Sequence, residues 1–246
     1  MSHADRRTFV LVHGAWHGGW CWRRVADILE RAGHKVFCPT LTGLGERSHL
    51  LSGDITLDTH ISDVVNVFTW EDIDGAVLCA HSYGGWPVSG AMEVLRSRVS
   101  ALVFVDAHMP DDGQSGVETS NGREEILAAQ RRGDIARWPK SAEYFCVNER
   151  DREWVDGKLT RQPLRPSFQP IHLTGARDAA ARKVYVRAKG FPSVPFEKAL
   201  RKAEERGWRT FEVAAGHDVM IDAPEVLGKI LLAEADALGV GCGGRI

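Results

Sequence analysis

The sequence predicts an α/β protein, with a mostly parallel sheet, helices on both faces and a helical cap inserted at one end. Three observations point there. Short, wholly apolar runs recur along the 246 residues. Amphipathic helical stretches separate them. One stretch of about 70 residues breaks the alternation and is too long for a plain connection. Continuous apolar runs mark strands covered on both faces, as in a parallel sheet under two layers of helices.

The elements follow in order. Phe9 to Val12 is the first buried strand and ends at the turn His13-Gly14. Trp20 to Arg31 places Val25, Ile28 and Leu29 at helical spacing, with Gly33 beyond its end. Lys35 to Cys38 is a second strand, stopped by Pro39, and a long loop runs from Thr40 to Asp54. Leu57 to Trp70 is a helix with Ile61, Val64, Val65 and Phe68 on one face. Ala76 to Ala80 is a third strand, followed by a helix from Trp86 to Arg96. Ala101 to Val105, Val184 to Ala188 and Thr210 to Val213 complete the strands, and Phe196 to Arg206 and Ala223 to Leu238 the helices. Residues 1–108 and 183–246 are expected to form the core and 109–182 the cap, with weak helices near Glu124–Arg132 and Asp151–Leu159. The glycine-rich end, Val240 to Ile246, reads as a frayed tail.

Composition excludes several classes. With 31 basic and 33 acidic residues, a net charge of −2, the chain lacks the basic footprint of a nucleic-acid binder. Hydrophobic residues at 43% and charged residues at 26% exclude a disordered chain. The five cysteines are scattered and form no CxxC pair, so neither a disulfide framework nor a zinc site is expected. No segment reads as a signal or a membrane anchor, and the expectation is a cytoplasmic protein without a membrane partner. Eight tryptophans are the one unusual count.

The segment Cys79-Ala80-His81-Ser82-Tyr83-Gly84-Gly85 carries the chemistry. A buried strand runs into a serine with small residues two positions to either side, and a helix follows. A sharp strand-to-helix turn pushes such a serine out above the sheet edge, and bulky flanking side chains would clash there. Ala80 stands where the usual pattern has glycine. An ordinary tight turn with an inert serine is the plainer alternative. The loop after the first strand then supplies one backbone N–H to an oxyanion hole, and the residue after the serine supplies the other. Those donors are Ala15 and Tyr83.

The matching base is a histidine after the last strand, His217 in Ala215-Gly216-His217-Asp218. His3, His34, His49, His60 and His172 read as surface or loop residues, His17 and His81 as packing residues, and His13 as a loop-fixing residue. For the acid, the loop Lys189 to Ser193 after the penultimate strand holds no carboxylate. Glu197 lies within the next helix, while Asp106 ends the preceding strand on the same sheet edge as Ser82. Asp106 is favoured; the alternative is a Ser82–His217 dyad with Asp106 merely ending its strand. Gly43-Leu44-Gly45 lacks the third glycine of a dinucleotide fingerprint, and His13 with His17 lacks a third metal ligand. Neither cofactor nor metal is expected.

The chain resembles the α/β-hydrolase superfamily, and within it the group of plant methyl esterases, salicylate-binding esterase, hydroxynitrile lyases and related bacterial esterases. The run from Phe9 to Trp22, Gly84-Gly85 after Ser82, Val105 to Pro110, and Gly216 to Met220 carry the resemblance. It covers most of the core and only loosely the cap. The resemblance implies nucleophile, oxyanion and histidine positions at Ser82, Ala15, Tyr83 and His217. The plant enzymes carry their acid after the penultimate strand, which this chain does not. Certain haloalkane dehalogenases place an acid where Asp106 stands, with an aspartate nucleophile in place of Ser82. The lysine and threonine of the hydroxynitrile lyases fall here on Asp218 and Gly14.

The expected activity is hydrolysis of a small carboxylic ester, aromatic and methyl esters included, through an acyl-enzyme and without a cofactor. Alternatives are a cofactor-free lyase or oxygenase using His217 as a base, and a small-molecule-binding protein with vestigial catalysis. Trp16, Trp20, His108, Trp138, Tyr144 and Trp154 are the candidate pocket residues, with Tyr83 and Phe145 adding aromatic surface; packing of the cap onto the core is an equal reading of each tryptophan. The chain is expected to be a monomer or a homodimer.

Overall fold

A computed structural model describes residues 6–238. Eight strands and nine α-helices lie among them: β1 (Thr8–Val12), α1 (Arg23–Arg31), β2 (Lys35–Phe37), α2 (Leu57–Trp70), β3 (Ala76–His81), α3 (Gly85–Leu95), β4 (Val99–Val105), α4 (Gly116–Thr119), α5 (Arg123–Arg131), β5 (Ala136–Arg137), α6 (Glu149–Asp156), β6 (Gln162–Pro163), β7 (Arg182–Ala188), α7 (Val194–Glu205), β8 (Arg209–Val213), α8 (Val219–Asp222) and α9 (Pro224–Asp236). Six strands form one sheet in the order β2-β1-β3-β4-β7-β8, and every pairing in it is parallel. The tail after Leu238 lies outside the described residues.

The period of two along each strand divides the core into two layers. Phe9, Leu11, Val77, Cys79, Val103, Val105, Val184 and Val186 face one side, under Val25 and Leu29 of α1 and Leu227 and Leu231 of α9. Val10, Val12, Leu78, Ala80, Leu102, Phe104 and Tyr185 face the other, under α2, α3 and α7. Each fully buried large apolar side chain contributes roughly 1.5–3 kcal/mol relative to exposure. Both faces being covered is why the strands read as unbroken apolar runs.

Several boundaries differ from the sequence reading for local reasons. The stretch before α1 is a 3-10 turn, Gly19–Trp22. A second 3-10 turn, Gly45–Leu50, lies inside the long loop. Pro224 opens α9 close to the expected start, and the short α8, which the sequence reading lacked, precedes it. At the start of α2, the Thr59 amide donates to Thr56 Oγ1 at 3.2 Å and the Thr56 amide to Thr59 Oγ1 at 3.1 Å, a reciprocal cap. The buried stripe of α2 is Leu57, His60, Val64 and Phe68. His60 is therefore a core residue and not a surface one. It sits four residues before Val64, on the same helix face, which its polarity concealed.

The chain between β4 and β7 holds α4, α5, α6 and the antiparallel ribbon β5–β6. It reaches the C-terminal edge of the sheet at two points. Gln162 Oε1 accepts from the Trp16 amide at 3.0 Å, and the Phe145 carbonyl accepts from the His217 amide at 2.8 Å. The loops after β1, β3, β4 and β8 meet at this edge. In open parallel sheets, ligands bind at this edge.

Candidate active site

Strain identifies the site before chemistry does. Five residues other than glycine have positive φ among the described residues. Trp16 (65°), Ser82 (51°), Asp106 (42°) and Cys146 (57°) all lie in loops around the sheet edge. Each such conformation costs on the order of 1–3 kcal/mol, and the fold must supply it from packing elsewhere. Ser82 is turned out between β3 and α3, where no larger neighbour would fit. A Cβ on Gly84 would lie 2.8 Å from the His13 carbonyl oxygen, and one on Gly85 would overlap the His108 carbonyl.

Ser82 Oγ lies 2.8 Å from His217 Nε2, and His217 Nδ1 lies 2.6 Å from Asp106 Oδ2. With the proton on Nδ1 donated to Asp106, Nε2 accepts from the Ser82 hydroxyl. Asp106 is fully buried, and its other oxygen, Oδ1, accepts from Arg187 Nη1 at 2.7 Å and from the Ala188 amide at 3.2 Å. Arg187 also donates to the Phe191 carbonyl at 2.7 Å, to the Ala188 carbonyl, and from Nε to Glu197 at 3.0 Å. The loop after β7 thus presents carbonyls to Arg187 and no carboxylate to His217. Sequence reasoning passed over Arg187. Its signal was a charge inside the apolar run Val184 to Ala188, since a buried charge needs a partner.

The His217 ring is held by three phenylalanines. Phe196 stacks at 5.0 Å, Phe145 stacks at 5.4 Å, and Phe191 is tilted at 4.7 Å. Phe145 stood among the sequence-derived aromatic pocket residues; Phe191 and Phe196 did not. Phe191 and Phe196 flank the start of α7, and no local pattern joins them to Phe145 of the cap or to His217.

The loop after β1 presses on the serine. A Cβ at Gly14 would lie 2.8 Å from Ser82 Cβ and 2.8 Å from His81 Nδ1. The loop is fixed from both sides. His13 Nδ1 donates to the Gly14 carbonyl at 2.7 Å and His13 Nε2 accepts from the Leu41 amide at 3.0 Å. Burial pushes the His13 pKa down to about 3, in keeping with a neutral ring between one acceptor and one donor. The Ala15 amide donates to no protein group among the described residues. Tyr83 N–H belongs to the first turn of Ser82–Gly84, where amides have no acceptor inside the helix.

A second buried cluster lies behind His217. His17 Nδ1 lies 2.7 Å from the Ala15 carbonyl and His17 Nε2 lies 3.2 Å from Asp218 Oδ2. Both ring nitrogens face acceptors, the pattern of an imidazolium. Burial opposes that charge, but Asp218 beside it prevails and raises the His17 pKa above 6.5. Burial would raise the Asp218 pKa, but the neighbouring His17 holds it well below the usual carboxylate range. His81 donates to the His217 carbonyl at 3.1 Å, and burial pushes its pKa well down. The cluster ties the Ala15 loop to the His217 loop.

A cavity of about 100 Å³ opens over Ser82 and His217. A larger chamber of about 490 Å³ lies beside it, and the two share His108, Ser120, Asn121 and Pro195 as lining. Of the sequence-derived pocket residues, Trp16, His108, Tyr144 and Phe145 line the smaller cavity. Burial pushes the His108 pKa down to about 4.

Trp20, Trp154 and Trp138 are corrections, because none of them lines either chamber. The Trp20 ring lies edge-on to Trp154 at 5.1 Å and stacks on His17 at 5.3 Å, joining the hydrophobic layer. Trp154 rests under the Arg24 guanidinium at 5.4 Å. Trp138 is 72% exposed and stacks with Arg161 at 5.0 Å. The Tyr83 ring also turns away from the cleft. Its hydroxyl donates to His60 Nδ1 at 2.8 Å, while His60 Nε2 donates to the Thr42 carbonyl at 2.9 Å. Among the described residues, no group of His, Cys, Asp and Glu side chains is arranged to hold a metal ion, and no helix is long and apolar enough to cross a membrane.

Comparison with known proteins gives the family and the fold. The model of the alpha/beta hydrolase family matches residues 9–229. A carbendazim hydrolyzing esterase from Nocardioides sp. (strain SG-4G) is 37% identical over 238 residues, covering 92% of this chain and 98% of that one. Methylesterase 7 of Arabidopsis thaliana is 39% identical over 113 residues, covering 45% of this chain and 44% of that one. Among solved structures, an extracellular alpha/beta-hydrolase from a Paenibacillus species superposes with a TM-score of 0.80 at 21% identity, covering 93% of this chain and 98% of that one. At that identity the likeness speaks to the fold.

Proposed function

This chain belongs to the alpha/beta hydrolase family, and on that premise we propose that it hydrolyses small carboxylic esters with Ser82 as the nucleophile. The observation that carries the reading is the continuous hydrogen-bonded chain from Ser82 through His217 to Asp106 at the C-terminal edge of the sheet.

Ser82 Oγ attacks the acyl carbon as His217 Nε2 takes its proton. Asp106 holds the imidazole in the required tautomer and stabilises the imidazolium that forms. The Ala15 and Tyr83 amides receive the oxyanion of the tetrahedral intermediate. His217 returns the proton to the departing alcohol, leaving an acyl group on Ser82. A water then repeats the sequence with His217 as base, which frees the acid and restores the serine. The phenylalanine cage around His217 excludes solvent from the ring.

Residues 109–182 act as the cap. Through Gln162 and Phe145 they fix the Trp16 loop and the His217 loop in one relative position. The cavity of about 100 Å³ suits an ester head with a small substituent, well under the roughly 300–1,000 Å³ of drug-sized sites. The larger chamber takes the remainder of the substrate. The relatives' names put carbendazim and methyl esters first among compounds to try. The lyase alternative finds no support at position 218, where Asp218 is fully buried and paired with His17. The test is Ser82→Ala with a panel of aryl and methyl esters. Hydrolysis should vanish while the circular dichroism spectrum stays the same; undiminished turnover refutes the reading.

A further inference from the structure

The cleft over Ser82 holds two hydrogen-bond donors that the protein leaves without partners. Trp16 Nε1 and Arg137 Nε are buried, and neither has a hydrogen-bond partner among the described residues. Both side chains line the cavity with Ser82 and His217. The fold sets them side by side. Gln162 accepts from the Trp16 amide at 3.0 Å and stands opposite Arg137 in the β5–β6 ribbon. The guanidinium lies 5.1 Å from the centre of the Trp16 ring. Indole and guanidinium nitrogens only donate, so this corner lacks an acceptor. Trp20 and Trp22 also carry unpartnered indole nitrogens. What sets Trp16 apart is the cation beside it in the cleft.

Charge narrows the chemistry. Arg137 forms no ion pair among the described residues. Glu125, the acid lining the same cavity, is engaged by Lys140 Nζ at 2.6 Å. The larger chamber adds Lys198 and Lys202 against Glu118, with Lys202 paired to Asp111 at 2.7 Å. Four cations against two carboxylates line the two chambers, on a chain whose net charge is −2. A half-buried guanidinium without a counter-ion is costly unless something supplies one.

We propose that Arg137 and Trp16 form a carboxylate-binding subsite, so that the substrate is a monoester of a dicarboxylic acid. This rests on the hydrolase reading of Ser82. The ester carbonyl lies at Ser82 and the free carboxylate accepts from the Arg137 guanidinium and the Trp16 indole, a charge-assisted contact of the stronger kind. The contact is made equally in the ground state and the transition state, so it acts on KM more than on kcat.

The test separates binding from turnover. In the Ser82→Ala protein at neutral pH, calorimetry compares monomethyl succinate with the neutral dimethyl succinate. The monoester should bind at least tenfold more tightly. Arg137→Met in the same background should erase that preference, and Arg137→Lys should keep part of it. Arg137→Lys also serves if the methionine variant fails to fold. In protein carrying Ser82, the preference should appear in KM. Equal affinity for the two esters, or a preference that survives Arg137→Met, overturns the subsite. An intact preference in Ser82→Ala with no turnover of either ester by protein carrying Ser82 overturns the hydrolase reading and leaves the subsite standing.

Discussion

Arg187 and Asp106 form a buried ion pair of 2.7 Å, Nη1 to Oδ1, directly behind His217. The sheet produces it. Val105 of β4 stands opposite Val186 of β7, so the next residue of each strand meets its neighbour. Asp106 thereby divides its carboxylate, one oxygen toward His217 and the other toward Arg187. Removing one partner of a buried pair leaves an uncompensated charge and costs about 3–5 kcal/mol. Arg187→Met should lower stability by about that amount in urea denaturation. In a double-mutant cycle with Asp106→Asn, the two losses should sum to more than the double variant shows. Additive losses would mean that the pair is not coupled.

Asp106→Asn should slow ester hydrolysis by on the order of 10³–10⁴-fold, because His217 loses the acceptor that fixes its tautomer. Glu197→Gln should change the rate by no more than a few fold. Glu197 is partly exposed and touches Arg187, not His217. Steady-state kinetics of the two variants decide this, and the reverse ranking would move the acid to Glu197.

A methyl group at Gly14 cannot be placed without displacing the nucleophile, because its carbon would lie 2.8 Å from Ser82 Cβ. Gly14→Ala should therefore push the Ala15 loop outward and take its amide away from the oxyanion. Loss of one such donor costs roughly 10²–10³-fold in kcat. A variant with kcat near the parent value would show that the Ala15 amide is not used.

The buried histidines set opposing pH trends. His13 and His108 have folded pKa values of about 3 and about 4 against 6.5 in the unfolded chain. The unfolded state takes up protons that the folded state refuses, so their contribution is full above 6.5 and shrinks as pH falls toward those values. His17 has the opposite sign. Its raised pKa gives stability that is full below 6.5 and lost as pH rises through its folded value. Asp218→Asn removes the charge that raises it. The variant should lose more stability at about pH 6 than at about pH 9 in urea unfolding. Parallel curves at the two pH values would contradict the pairing.

The sheet was legible from sequence because burial on both faces leaves unbroken apolar runs, as in Phe9 to Val12 and Ala76 to Ala80. The Ser82–His217 pair was legible because each residue sits in a local turn beyond a strand. The lining of the cleft was not. Trp16 turns inward at a positive φ fixed by Gln162, which lies 146 residues away. Trp20, four positions on, packs against His17 and Trp154 and does not line the cleft. Both read alike as aromatic residues near the serine. His60 was misplaced because its polarity hid a core-facing register shared with Val64 and Phe68. Arg187 and Arg137 gain meaning only from partners that the sheet register and the β5–β6 ribbon bring near.

The covalent step is open to direct observation. Intact-protein mass spectrometry, after rapid acid quenching during turnover of an activated aryl ester, reads whether the acyl group passes onto the chain. The parent protein should gain the mass of one acyl group, mapped by peptide analysis to Ser82, and Ser82→Ala should gain none. An equal adduct in the alanine variant, or full turnover by that variant, would show that Ser82 is not the nucleophile.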